Sequence, residues 1–226
     1  MTTTTATAAV VTCDPATSTT KSLLGYGVLA GPLYVAVSLG QALTRDGFDL
    51  TRHPWSLLSN GALGWLQITN FVVTGLMVIA FAAGMRRALR PGRGATWVPR
   101  LVAVYGASLI GAGVFRADPA LGFPVGTPET ATGVSWHGVM HFASGGIGFL
   151  CLIVACQILA RRYAADGRGG RAVAASVVGV LFLGAFVGIA SGTASSAITL
   201  TFVGAVVIMW TWIAVTAVDL YRRASA

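Results

Sequence analysis

The chain has 226 residues, 55% hydrophobic and only 10% charged, with a mean hydropathy of +0.76. A soluble domain carries about a quarter charged residues, so these side chains cannot coat a water-facing surface, and most of the length belongs in lipid. A secreted disulfide scaffold, a disordered chain and a nucleic-acid module are excluded, the net charge of +8 notwithstanding.

Residues 1–21 are rich in Thr, Ala and Ser, with no basic stretch and no small-residue cleavage site. They read as a disordered tail, not a signal peptide, and Cys13 within them receives no lipid anchor. A bilayer core about 30 Å thick needs about 20 apolar residues per helix. Six segments qualify, at about 22–43, 63–85, 98–115, 138–160, 172–190 and 197–220. The spacing therefore predicts an all-α membrane bundle over 22–220, followed by a short cytoplasmic tail at 221–226. No alternating ten-residue segments suggest a β-barrel. Pro91, Gly92 and Gly94, then Pro119, Pro124 and Pro128, then Gly167, Gly169 and Gly170 fall between segments, where breakers belong. The last break, 191–196, demands a tight reversal.

Twelve of the fifteen Lys and Arg residues fall on one side of this map, and only Arg45, Arg52 and Arg116 on the other. The positive-inside rule then puts both termini in the cytoplasm of a cell-membrane protein. Pairs such as Arg86-Arg87 and Arg161-Arg162 read as stop-transfer charges, and the basic surface as a contact for lipid heads. Fourteen arginines against one lysine suggest a high-GC bacterial genome. Trp55, Trp65 and Trp136 mark the outer boundary and Trp97 the inner one, with Trp210 and Trp212 deeper. Small residues four apart, Ala107 with Gly111 and Gly188 with Gly192, suit close helix packing. Cys151 and Cys156 read as small apolar residues. No internal repeat supports a transporter.

The informative asymmetry is on the outer side, which holds all three histidines (His53, His137, His141) and Asp46, Asp49, Asp118 and Glu129. Pro54 suits the start of a short helix that lays Trp55, Leu57 and Leu58 in the interface, with His53 at its mouth. His137 and His141 share a helix face at four-residue spacing, His141 about 6 Å deeper. With His53 they offer three nitrogens to a zinc ion, and Asp118 a fourth ligand. The structural alternative is a polar cluster that closes the fold, with Arg116 pairing with Asp118. Gln41 and Asn70 extend the polar set inward.

These residues carry a resemblance. His53-Pro-Trp-Ser-Leu-Leu-Ser, Gly61-Ala-Leu-Gly-Trp65, Asn70-Phe-Val-Val-Thr-Gly75, Gly113-Val-Phe-Arg-Ala-Asp-Pro119 and the Trp136-His137 and His141 set resemble the bacterial domain-of-unknown-function 998 family of six-span membrane proteins. The likeness runs over about 22–220 and implies a fold and a membrane location without an activity. More distantly, His53, His137, His141 and Asp118, with Ser56 or Ser59, are similar to the zinc set of the alkaline ceramidase and adiponectin-receptor hydrolases. Six spans and a His pair that opens the fourth depart from that pattern.

Three functions follow. The first is a pocket for a small amphiphile or lipid, built from His53, Ser56, Asp118, Trp136, His137 and His141, without assigned catalysis. The second is a zinc-assisted hydrolase of a lipid-like substrate. Its metal would sit on His53, His137 and His141 and lower the pKa of a bound water, with Asp118 and His137 as catalytic groups. The third is a metal-free isomerase or cyclase using Asp118 or Glu129 as the acid.

Overall fold

Each of the six apolar segments becomes one helix. The computed structural model describes residues 14–130 and 133–224. In chain order it contains α1 (Pro15–Thr44), a 3-10 helix (Trp55–Ser59), α2 (Gly64–Ala88), α3 (Trp97–Val114), α4 (Trp136–Ala165), α5 (Gly169–Ala190) and α6 (Ser196–Arg223), with no strand among the described residues. All six α-helices are long and apolar enough to cross a membrane.

The ends differ from expectation where a cap extends a helix. Asp14 accepts hydrogen bonds from the backbone N–H groups of Ala16 and Thr17, and Pro15 supplies a first helical residue that needs no partner. The helix therefore begins at Pro15, and residues 15–21 belong to it instead of to a tail; Cys13 lies outside the described residues. At the other terminus α6 runs on to Arg223, through residues expected to be tail. The reversal between α5 and α6 forms as expected. The Ser191 hydroxyl donates to the Gly188 carbonyl at 2.7 Å, and Gly192 takes a φ of 72°, which glycine adopts without strain.

Consecutive helices pack on one another and α6 returns to α1, so the bundle is a closed ring in sequence order. Aromatic rings fill its middle. Tyr34 lies 6.1 Å from Trp55, 6.0 Å from Phe71 and 5.1 Å from Trp210, and Trp210 lies 5.8 Å from Tyr105. Trp210 and Trp212 are thus packing residues. The outward faces are the reverse of a soluble protein's, with Leu29, Leu43, Leu76, Phe142 and Leu181 exposed. Trp65, Trp97 and Trp136 are exposed in the first turns of α2, α3 and α4, where an interfacial belt belongs.

A close helix approach uses different small residues from those the four-residue spacing suggests. A β-carbon on Gly75 of α2 would stand 2.6 Å from the Gly106 carbonyl of α3, and one on Gly106 would stand 2.7 Å from the Gly75 carbonyl. Only glycine lets these two backbones touch. Ala107 instead faces outward and Gly192 sits in the turn, although Gly111 does meet Ser144 of α4. Spacing finds small residues; it does not say which face of the helix is covered.

Candidate functional site

Residues 45–63, 115–130 and 133–135 close one end of the bundle, here called the histidine end. Arg45 ends α1 and turns its guanidinium inward. It donates to the carbonyls of Leu58 and Asn60, both at 2.6 Å, and lies 4.9 Å over the Phe123 ring. Carbonyls at the end of the 3-10 helix have no helical partner, so one cation joins α1, the 3-10 helix and the loop after α3. The 3-10 helix starts just after Pro54, as expected, but Trp55, Leu57 and Leu58 are buried in the protein instead of lying in the interface.

His53 is consumed by the same closure. Its Nδ1 accepts from the Asp49 backbone N–H at 2.8 Å, and its Nε2 meets the Leu121 carbonyl at 2.9 Å. An accepting Nδ1 and a carbonyl beside Nε2 together define the Nε2–H tautomer. Neither nitrogen is left for a metal. The ring is wedged between Phe48 (5.2 Å) and Phe123 (5.6 Å) and is almost wholly buried. Asp49 turns its carboxylate to the Thr51 hydroxyl and backbone N–H, which hold it below the usual carboxylate range. On the surface above, Arg52 pairs with Glu129, so the acid candidate Glu129 ties one loop to the other.

The second half of the closure is a relay into α4. Asp118 accepts from the Ser135 backbone N–H at 2.8 Å and from its hydroxyl, and the Ser135 oxygen accepts from the Gly138 N–H at 3.1 Å. A β-carbon at 138 would run into the Asp118 carboxylate, so glycine is required there. Asp118 is therefore engaged with Ser135, and no ion pair with Arg116 forms. His137 is exposed and stacked on Trp136, ring centroids 3.8 Å apart. His141 is buried, and its Nδ1 faces the Ala112 and Phe115 carbonyls at 3.1 and 2.8 Å. It must donate there, capping the end of α3. Ser56 is half-buried at the 3-10 helix, where its carbonyl accepts from the Ser59 hydroxyl.

The three histidines are thus not brought to one point. Among the described residues no three His, Cys, Asp or Glu side chains are grouped to hold a metal ion. The zinc arrangement fails on this geometry because His53 is tied to the loops, His141 to α3, and His137 to an exposed indole.

What the closure does cover is a polar corner where α1, α2 and the 3-10 helix meet. The Gln41 amide donates to the Gln67 carbonyl oxygen at 2.9 Å, and the Gln67 amide to the Ser38 hydroxyl at 3.1 Å. Asn70 donates to the Tyr34 carbonyl at 3.1 Å and to Ser38 at 3.2 Å. Three buried atoms here have no partner: Gln41 Oε1, Asn70 Oδ1 and Trp55 Nε1. Gln41 and Asn70 do extend the polar set inward, whereas Trp55, a belt residue by sequence position, turns its indole inward against Tyr34.

A family model described as protein of unknown function (DUF998) matches residues 28–219. The chain belongs to this family. No curated protein and no solved structure matches it. The DUF998 match includes both loops of the histidine end and extends to Asp219 near the opposite end.

That opposite end of the DUF998 fold holds an ionic cluster the sequence reading missed. Asp219 is buried on α6, and Arg168 and Arg171 at the start of α5 reach it at 2.8 and 2.6 Å, with Arg223 at 3.3 Å. Arg168 also lies 4.8 Å over the Tyr163 ring. The available signal was an acidic residue inside the last apolar segment, since ionisable groups at membrane depth are costly and rarely idle. Arg162 likewise exceeds a stop-transfer role, donating to the Leu89 and Arg93 carbonyls, both at 2.9 Å.

Proposed function

We propose that this DUF998 protein is a multi-pass protein of the cell membrane, both termini cytoplasmic, that seats the polar head of a small amphiphile or lipid in the corner between α1, α2 and the 3-10 helix. The one-sided distribution of Lys and Arg supports the orientation. One observation carries the binding reading: Gln41 Oε1, Asn70 Oδ1 and Trp55 Nε1 are buried without partners. An unmet buried polar group costs about 1–3 kcal/mol, and hydrocarbon offers no water to relieve it. The trio presents one N–H donor and two amide acceptors, the complement of a hydroxyl or amide head group. The neighbouring rings of Tyr34 and Phe71 suit an apolar stem.

The test is mass spectrometry of lipid extracted from protein purified in mild detergent. Wild type is expected to retain about one hydroxyl- or amide-bearing amphiphile per chain. Trp55→Phe keeps an aromatic ring against Tyr34 while removing the indole N–H donor and part of the ring volume. It should lower retention about tenfold, the value of one hydrogen bond formed away from water. Retention equal to wild type in both Trp55→Phe and Asn70→Leu, or no retained species in wild type, would refute the reading.

A further inference from the structure

We infer that the arginine end carries a second lipid site, separate from the polar corner, which recognises the anionic phosphate of a phospholipid through Arg171 and Arg222. The argument starts from charge. Asp219 supplies one negative charge to Arg168, Arg171 and Arg223, so the cluster keeps a surplus of two positive charges at the membrane boundary. Arg222, exposed beside it, makes no ion pair among the described residues. The carboxylate orients its arginines without neutralising them. It fixes Arg171 through Nη1 at 2.6 Å, while nearly half of that side chain stays accessible.

Shape supplies the second part. A groove of about 250 Å³ opens between α5 and α6, lined by Arg171, Asp219 and Arg222 at its polar edge and by Ala214, Val215 and Val218 along its wall. Val215 is exposed on the outer face of the bundle, so the wall is continuous with the surface that lipid tails would cover. A guanidinium pair above an apolar channel matches a phosphate above the first methylenes of an acyl chain. Arginine is suited to this role because its planar fork meets phosphate oxygens in pairs. An uncharged or zwitterionic head group would leave the surplus charge unmet, which is why an anionic phospholipid is the occupant.

The experiment compares lipid retention by the full-length protein in nanodiscs made from equal parts phosphatidylglycerol and phosphatidylcholine, released into detergent and read by native mass spectrometry. Wild type should hold about one phosphatidylglycerol per chain in preference to phosphatidylcholine. Arg222→Gln touches no ion pair of Asp219, so it leaves the cluster intact and should cut that preference about fivefold, as one cation near an anionic surface does. Arg171→Gln/Arg222→Gln should cut it about thirtyfold by the same reasoning. Arg86→Gln/Arg87→Gln, at the same end but away from the groove, should leave it unchanged. Equal loss in that control would mean attraction by overall charge only and would overturn the site, as would equal retention of the two lipids by wild type. Trp55→Phe should leave this retention alone, which separates the two sites.

Discussion

At the histidine end, Arg45, His53 and His141 are matched to backbone groups, and Asp118 to a capping serine. At the arginine end, Asp219 is matched to three guanidiniums brought from the start of α5 and the end of α6. The histidine end has to close over long loops, and a buried loop must find a partner for every N–H and C=O it carries. Ionisable side chains are good partners for that purpose, and it leaves them engaged. At the arginine end Arg162 takes the loop carbonyls of Leu89 and Arg93, while the charges around Asp219 meet each other and a surplus remains outward. Residues that look like chemistry are therefore engaged by the backbone at one end, and residues that look like topology signals form an ionic cluster at the other.

The largest effect should come from Asp219. Removing one partner of a buried ionic cluster leaves the others uncompensated, at a cost of about 3–5 kcal/mol; with Arg171 and Arg223 half-exposed, we expect about 3 kcal/mol for Asp219→Ala. Thermal unfolding in detergent would read this directly. Asp219→Ala as mild as a surface substitution would erase the contrast between the two ends.

Next in size is His53→Ala. It strips partners from the Asp49 N–H and the Leu121 carbonyl and opens a gap between Phe48 and Phe123, for a loss of about 2–3 kcal/mol. Amide exchange should rise over 45–63 and 118–125 and stay unchanged across α5 and α6. The sharper version compares the histidines: His137→Ala should stay within about 0.5 kcal/mol because its ring is exposed. Equal losses from His53 and His137 would mean that a shared site binds them after all.

The six helices were legible because a bilayer needs a fixed apolar length, and that requirement is written residue by residue. The site was legible only as a gathering of polar residues at one end. His137 and His141 share a helix face, yet four residues of rise, about 6 Å, carry one from an exposed position on Trp136 to a buried one under the end of α3. Helical spacing cannot say what stands opposite each turn. Trp55 shows the same limit: its place beside a membrane boundary was readable, but its inward direction follows from how Arg45 draws the 3-10 helix down. Asp219 escaped notice because its partners Arg168 and Arg171 lie some fifty residues away, and their contact depends on α5 packing against α6.

The smallest effects should come from the exposed rim of the histidine end, where the two comparisons meet. Arg52 and Glu129 form an ion pair like those of the Asp219 cluster, but in the open. Exposed pairs contribute little and are screened by salt, so Arg52→Gln should shift stability less than Asp219→Ala or His53→Ala does at low salt, and by still less in 1 M salt. Asp49 responds to pH instead. Its folded-state pKa lies below the ordinary value of 3.8 because Thr51 bonds to the charged form. A depressed carboxylate contributes to stability above its unfolded pKa and loses that contribution as pH falls through the folded one. The Thr51 amide resonance should therefore titrate with a midpoint below 3.8. A midpoint at or above 3.8 would mean that Thr51 does not hold the carboxylate, and that the rim is looser than the buried contacts of His53 beneath it.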